Sequence, residues 1–181
     1  MALIHHPVKN REGLTIASAV TNLDIHDLAR AGRTFDVERI YIVTPLVDQQ
    51  ALVRQIVDHW MSGYGGIANP DRKEALQLIA IRDSLMDVRT ELMRSYSDER
   101  LLTVATTARK TERTVSHVEL RQWLEAGNNC LLLFGTAWGL ADEVLQTSDR
   151  ILTPITGRGS YNHLSVRSAV SIVLDRLVNP R

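Results

Sequence analysis

Residues 130–134 of the chain read Cys-Leu-Leu-Leu-Phe, and residues 135–140, Gly-Thr-Ala-Trp-Gly-Leu, follow them directly. A continuous apolar run of this length is typical of a β-strand that is buried on both of its faces. Strands of this kind belong to parallel sheets that carry helices on both sides. The segment behind the run begins with a glycine, which predicts a tight turn that leads from the strand into a helix.

Short strand-like runs and helical patterns alternate over the rest of the chain. Thr21 with Asp24, and Ser116 with Glu119, resemble capping boxes at the starts of two helices. The other predicted strands lie at 3–6, 39–43, within 76–81, at 101–105 and at 150–155, and the predicted helices begin after 21, near 52, at 83–84, after 116, at 138 and at 164. The glycines at 63–66 are predicted to end the second helix, residues 69–71 to form a loop, and the third helix to continue to about Asp98. This alternation predicts an α/β fold, a mostly parallel sheet with helices on both faces.

The composition is that of an ordinary globular protein. The 181 residues include 21 Lys and Arg and 21 Asp and Glu, so the formal net charge is zero, and 44% of the residues are hydrophobic. A zero net charge excludes a whole-surface polycation, although it leaves local basic patches open. A single cysteine and the lack of an apolar run long enough for a membrane span favour a cytoplasmic protein, with residues 1–181 as one domain.

Three loops follow predicted strands in the second half of the chain, at 106–113, 135–140 and 156–163. Ligands of parallel α/β sheets bind outside the carboxyl ends of the strands, so these loops are the first candidates for a site. The 135–140 segment lacks the lysine of a phosphate-binding P-loop and is not the glycine-rich fingerprint of dinucleotide-binding folds. The 156–163 loop is longer than a simple connection requires, which favours a function.

Three segments, at 24–37, 134–140 and 154–169, resemble in order and spacing the motifs of the SPOUT (SpoU–TrmD) superfamily of S-adenosylmethionine-dependent RNA methyltransferases. In the first motif of that family, an asparagine precedes an arginine by six residues and a Phe-Gly-Val sequence follows; Asp24, Arg30 and 35–37 occupy these places. The resemblance covers nearly the whole chain. It implies a C-terminal trefoil knot, S-adenosylmethionine bound within it, an RNA substrate such as tRNA or rRNA, and a homodimer in which first-motif residues of one chain face the cofactor of the other.

The resemblance also assigns candidate residues. Arg30 would help to activate the acceptor, with Asp24, Asn162 and His163 as further catalytic candidates; capping roles compete for the last three, and a surface ion pair with Asp24 or Asp27 competes for Arg30. The residues expected to bind the cofactor are Thr106, Phe134, Gly135, Thr136, Trp138, Gly139, Ile155, Leu164 and Ser165, and those expected to contact RNA are Arg33, Arg109, Lys110 and Arg113. No metal is implied, because the neighbouring His5 and His6 would point to opposite faces of a strand.

The chain departs from the family pattern in each motif. Asp24 stands where the first motif has asparagine, Thr136-Ala137 stands where the second commonly has a glutamate, and the asparagine of the third is displaced or replaced by His163. These departures bear on the choice of the methylated atom, a base atom or a ribose 2′-hydroxyl. Two other functions stay open at this point: a SPOUT-like protein that binds RNA or the cofactor without catalysis, and an unrelated α/β nucleotide-binding regulatory protein.

Overall fold

A computed structural model of the chain describes residues 1–96, 101–109 and 111–179. The strands are β1 (Ala2–Ile4), β2 (Val8–Lys9), β3 (Thr15–Ile16), β4 (Ile40–Val43), β5 (Ile79–Arg82), β6 (Leu101–Ala105), β7 (Thr114–Val115), β8 (Asn129–Gly135) and β9 (Arg150–Leu152). The helices are α1 (Asn22–Thr34), α2 (Val47–Met61), α3 (Tyr64–Ala68), α4 (Pro70–Leu76), α5 (Leu85–Ser95), α6 (His117–Glu125), α7 (Asp142–Thr147) and α8 (Val166–Val178). None of the helices within these described residues is long and apolar enough to cross a membrane.

Seven of the strands form one parallel sheet in the order β5-β4-β1-β8-β6-β9-β7. The apolar run at 130–134 lies inside β8, which pairs with β1 on one side and β6 on the other. Its side chains from Leu131 to Phe134 are buried, as expected for a strand covered on both faces. The remaining strands, β2 and β3, form a separate antiparallel hairpin that the sequence did not predict.

Alternate residues of the strands feed two hydrophobic cores, one on each face of the sheet. The first core packs Leu3, Ile42 and Phe134 against α1, α2, α4, α6 and α8. The second packs Ile4, Val43 and Leu133 against α5, α7 and the hairpin. The predicted mostly parallel sheet with helices on both faces is therefore confirmed.

Several predicted boundaries are wrong. The helix predicted at 138–146 begins only at Asp142, because Ala137 and Gly139 take positive φ angles of 49° and 99°, which no α-helix contains. The loop predicted at 69–71 starts α4 instead, with Asn69 as its N-cap and Pro70 at its first position. The last helix begins after its N-cap Ser165 rather than at Leu164, and the predicted end of the third helix at Asp98 lies outside the described residues.

Both capping predictions place a helix start correctly. Ser116 and Glu119 form a complete capping box at α6. At α1 the Thr21 side chain accepts a hydrogen bond from the Asp24 amide and donates one to the Asp24 carboxylate at 2.6 Å. Because the Asp24 carboxylate bonds the threonine hydroxyl, the arrangement is a variant of the predicted box.

Candidate active site

Parallel topology brings the three candidate loops to the same edge of the sheet. They follow β6, β8 and β9, which are neighbours in the order β8-β6-β9. Thr106 donates both its amide and its hydroxyl to the carbonyl of Leu133, at 3.0 and 2.9 Å, which ties the first loop to β8. The Asn162 side-chain amide donates to the Ala108 carbonyl at 2.8 Å, which ties the third loop to the first. Together, these contacts make one composite surface at the carboxyl edge.

The 135–140 loop folds back sharply on the end of its strand. A Cβ on Gly135 would lie 2.5 Å from the Leu140 amide nitrogen, so only glycine permits this close approach. Ala137 carries a positive φ without being glycine, a conformation that costs about 1 kcal/mol or more and has to be held by its surroundings. The loop is thus a shaped feature of the edge rather than a passive connection.

The residues predicted to bind a cofactor divide by what they expose at this edge. The Phe134 side chain is buried in the first core, so it could meet a ligand only through its backbone. Thr136 is also buried, and its hydroxyl donates to the Ile4 carbonyl at 3.0 Å. Trp138 and Leu164, by contrast, expose 60% and 44% of their surface. Ile155 packs against the first core. The Ser165 side chain caps α8, and Gly139 forms part of the turn with a positive φ.

The third-motif candidates lie on the outside of this edge. Asn162 is half-buried and its amide group is engaged by Ala108, so its side-chain oxygen is the group left for a ligand. His163 is exposed, with its ring 5.4 Å from that of Tyr161 in an edge-to-face contact. Neither residue caps α8, because Ser165 does, which removes the structural alternative that the sequence left open for both.

Asp24 and Arg30 lie on the same helix in different environments. Asp24 is buried at the start of α1, where Arg167 of α8 approaches its carboxylate at 3.5 Å and that of Asp27 at 3.3 Å. Arg30 is exposed two turns further on, beside a shallow groove between α1 and α8. Within the described part of the chain it makes no hydrogen bond or ion pair, so the alternative of an ion pair with Asp24 or Asp27 is not found; Arg167 pairs with both carboxylates instead.

Arg167 is the residue of this region that sequence reasoning missed. It follows Ser165 by two residues in the third segment, and nothing in the local pattern marks it as a partner of α1. The first segment shows a second feature that is visible only in three dimensions. Asp36 has a φ of 54°, at the place where the Phe-Gly-Val sequence of the first motif has glycine. The turn there keeps its left-handed backbone although the glycine is gone.

Of the four cations predicted to contact RNA, the three that the structure describes do not converge. Arg33 lies in the last turn of α1, toward the opposite edge of the sheet, and pairs with Glu74 at 2.5 Å. Arg113 donates to the carbonyls of Gln146, Ser148 and Asp149 at the end of α7, so its guanidinium is largely used in the fold. Arg109 is exposed at the carboxyl edge, and Lys110 lies outside the described residues. Of the described three, Arg109 alone is placed to meet a ligand there.

A chain of buried and half-buried polar side chains leads to the start of the 135–140 loop. The Nδ1 atom of His5 is 3.0 Å from the Ser18 hydroxyl, which is 2.5 Å from the Thr136 hydroxyl. His5 is fully buried, and its Nε2 atom has no hydrogen-bond partner within the described residues. Burial lowers the pKa of His5 to about 4, against the opposing effects of the Asp24 carboxylate and the Ala19 carbonyl. The described residues contain no group of three side chains suited to a metal ion.

The buried histidine predicts a pH dependence of stability. Because the pKa of His5 falls from 6.5 in the unfolded chain to about 4 in the fold, the unfolded chain binds the extra proton between these values. The stability that neutral His5 confers is complete above pH 6.5 and is lost as the pH falls toward 4. From pH 7 to pH 5, wild type should lose about 2 kcal/mol more unfolding free energy than His5→Asn, as measured by urea denaturation. Equal losses in the two proteins would contradict this prediction.

The chain is similar to known proteins over almost its whole length. Residues 1–179 match the family model described as SAM-dependent RNA methyltransferase. An uncharacterized protein of Aquifex aeolicus is 37% identical over 178 residues, which are 98% of this chain and 86% of that protein. A tRNA (guanine-N(1)-)-methyltransferase of Oleidesulfovibrio alaskensis is 41% identical over 181 residues, 98% of this chain but only 41% of the relative. The chain thus spans less than half of that longer protein.

Solved structures of a methylase family protein and of a methyltransferase have the same fold. A probable methylase family protein from Haemophilus influenzae aligns with a TM-score of 0.62 at 20% identity, over 97% of this chain and 63% of its own. The SpoU methyltransferase AviRb from Streptomyces viridochromogenes, in complex with AdoMet, aligns with a TM-score of 0.58 at 16% identity, over 88% and 56%. At these identities, the likeness concerns the fold.

Proposed function

The chain belongs to the SAM-dependent RNA methyltransferase family within the SPOUT superfamily, and we propose that its substrate is a tRNA. The family match over residues 1–179 supports methyl transfer as the reaction. It also excludes the alternative of an unrelated nucleotide-binding protein. The choice of tRNA is supported by the name of the Oleidesulfovibrio relative. Because the chain matches only part of that relative, the guanine-N(1) chemistry in its name is not transferred to this chain.

The composite surface at the carboxyl edge fits a bound S-adenosylmethionine. The three loops meet there, and the close turn at Gly135 would let a ligand approach the backbone of the loop without a side chain between them. Trp138 and Leu164 supply exposed apolar surface for the adenine, and Thr106 and Ile155 lie at the ends of the neighbouring strands. When bound, the cofactor supplies an already activated methyl group on a sulfonium. The chain then has to hold and align the acceptor.

Arg30 is the residue proposed to act on the acceptor, and its position supports a homodimer. It lies six residues beyond Asp24 on α1, which places it about 9 Å along the helix from the carboxyl edge. Arg30 lines the groove between α1 and α8, together with Arg167 and Ser168 of α8. A second chain seated on this groove would bring its own loops to Arg30, and Asn162 and His163 would complete the acceptor site.

The finer features of the family form part of the same proposal. A trefoil knot is supported by the path of the chain, which leaves β9, contacts the 106–113 loop through Asn162, and returns to pack α8 on α1 and α6. One domain over residues 1–181 is supported by the single large sheet and its two cores. A cytoplasmic location follows from the proposed substrate, since tRNA is modified there.

The test of this function incubates the protein with radiolabelled S-adenosylmethionine and total RNA from a strain that lacks the gene. Label should appear in the tRNA fraction. Alkaline hydrolysis then distinguishes the acceptor, because a 2′-O-methyl group protects the adjacent phosphodiester whereas a methylated base does not. Label in rRNA would overturn the choice of tRNA. If the protein binds the cofactor but transfers no methyl group to any RNA, it is a binding protein and not an enzyme. If it does not bind the cofactor, the proposal is refuted.

Arg109 provides a prediction on RNA binding. It is exposed at the carboxyl edge, so Arg109→Ala should raise the KM for RNA about fivefold and lower the salt dependence of binding by about one phosphate contact. Steady-state assays at several salt concentrations measure both quantities. The matched control is Arg121→Ala on α6; the Arg121 guanidinium bonds the Asn179 carbonyl at the C-terminal end of α8, and this substitution should leave RNA binding unchanged. Equal effects of the two substitutions would contradict a specific role for Arg109.

A further inference from the structure

The hairpin of β2 and β3 is fastened to the 135–140 loop at several points. The Lys9 amide donates to the Gly139 carbonyl at 2.9 Å, and the Trp138 amide donates to the Lys9 carbonyl at 3.0 Å. The Lys9 ammonium pairs with Asp142 at 2.6 Å, just beyond the loop. Val8, fully buried, forms an antiparallel bridge with Leu140. The hairpin therefore packs against the loop and is bonded to it through both backbone and side chains.

The base of the hairpin adds a side-chain contact to these. The Ser18 amide donates to the His5 carbonyl at 2.8 Å, which brings the chain back to the end of β1 after β3. From there the Ser18 hydroxyl reaches the Thr136 hydroxyl at 2.5 Å and the His5 ring at 3.0 Å. Thr136 is the first residue of the loop after β8, so this contact fixes the loop where it leaves the sheet.

The direction of the hydrogen bonds among His5, Ser18 and Thr136 follows from the protons that their side chains can donate. Each hydroxyl has one proton to donate, and the Thr136 hydroxyl donates to the Ile4 carbonyl. Ser18 then donates to Thr136 at 2.5 Å rather than to the more distant His5 carbonyl at 3.4 Å, and the Nδ1–H tautomer of His5 is the one that donates to Ser18. In this order three donors meet three acceptors in an unbroken series from His5 to the backbone of β1. Removal of the Ser18 hydroxyl would leave the buried His5 donor without its acceptor, and it would leave the Thr136 oxygen with its bond to Ile4 but without a donor.

We propose that Ser18 is a positioning residue for the cofactor, with His5 as its donor, because it holds Thr136 and thereby the loop that faces S-adenosylmethionine. This inference rests on the proposed function for the identity of the ligand. His5 is fully buried, and the half-buried Ser18 is bonded to Thr136 where the loop leaves β8, so the proposal gives both side chains an indirect role. Their effect should therefore appear in cofactor affinity and in the order of the loop, and not in the affinity for RNA.

The experiment compares Ser18→Ala with wild type in three measurements. Calorimetry should show a Kd for S-adenosylmethionine raised about tenfold, the effect expected when one buried hydrogen-bond series is broken. Kinetics should show a raised KM for the cofactor and an unchanged KM for RNA. Hydrogen exchange on the ligand-free protein should show faster exchange in the 135–141 peptide, where the Trp138 and Gly139 amides are hydrogen-bonded.

Matched variants separate positioning from general damage. Thr15→Ala, on the exposed side of the same hairpin, should behave like wild type. His5→Asn keeps a donor near the Nδ1 position and should retain most of the affinity. The double variant Ser18→Ala/Thr136→Val should be no worse than the poorer single variant, since both break the same series.

The outcomes are distinct. A Kd within twofold of wild type with unchanged exchange in Ser18→Ala overturns the inference, and so does faster exchange spread over the whole chain. Additive losses in the double variant also overturn it. If wild type binds no cofactor, the proposed function fails and the assignment of Ser18 to cofactor binding fails with it. Exchange confined to the 135–141 peptide would then still show whether the hydrogen-bond series orders the loop.

Discussion

Gly135→Ala is expected to weaken S-adenosylmethionine binding about 100-fold, the cost of misplacing binding groups by about an ångström. The added Cβ would lie 2.5 Å from the Leu140 nitrogen and 2.9 Å from the Gly139 carbonyl carbon. Both are backbone atoms, so the strain cannot be relieved by turning a side chain, and the loop has to move. Calorimetric titration of the cofactor measures the effect, and the buried strands should keep the thermal midpoint within a few degrees.

Gly157→Ala is the matched control for this substitution. Gly157 lies in the neighbouring 156–163 loop, where an added Cβ would meet nothing nearer than the Tyr161 carbonyl oxygen at 3.9 Å. Its cofactor affinity should stay within about threefold of wild type, as for an unstrained surface substitution. If the two glycine variants bind the cofactor equally well, the close turn at Gly135 has no part in the site.

Arg30→Ala is expected to lower kcat/KM for methyl transfer about 1000-fold while the Kd for the cofactor changes little. Arg30 is exposed and makes no hydrogen bond or ion pair in the described part of the fold, so its loss should not disturb folding. Arg30→Lys should recover little, because an ammonium lacks the planar fork of donors. Arg33→Ala, three residues further along α1 and paired with Glu74, should stay within about threefold of wild type.

The two variants together test whether Arg30 acts across a dimer. When Arg30→Ala and Gly135→Ala chains are mixed and re-associated, half of the dimers combine one of each. In these, one of the two sites has an intact loop from one chain and an intact Arg30 from the other. Random mixing should therefore restore about a quarter of wild-type activity. No restoration would mean that Arg30 serves the site of its own chain, and a monomer by sedimentation would exclude the shared site.

The strongest local patterns of the sequence predicted most of the fold. The run at 130–134 could be assigned to a doubly covered strand because burial on both faces leaves no polar alternation. The serine and glutamate at 116 and 119 located the start of α6 because capping depends on residues only three apart. Carboxyl-edge loops could likewise be proposed from strand order alone, since parallel topology gathers them at one edge.

The features that were missed depend on contacts between distant segments. The strands β2 and β3 have two residues each, too few to show an alternating pattern, and their hairpin is held by the 135–140 loop, far along the chain. Arg167 meets Asp24 across 143 positions of sequence, so no window reveals the pair. A turn at Ala137 replaces the start of the predicted helix. The hairpin's hydrogen bonds to Trp138 and Gly139 hold the backbone there in a non-helical conformation.

The ion pair between Arg167 and Asp24 has a consequence for sequence variation within the family. Asp24 is buried, and a buried carboxylate that loses its cation is strongly destabilising. Drift at either position is therefore constrained by the other: members with asparagine at the position of Asp24 have no need of an arginine at that of Arg167. An alignment of the family should show that the residues at the two positions covary, as expected for residues in contact. Arginine at 167 would then mark the lineage that exchanged the first-motif asparagine for aspartate.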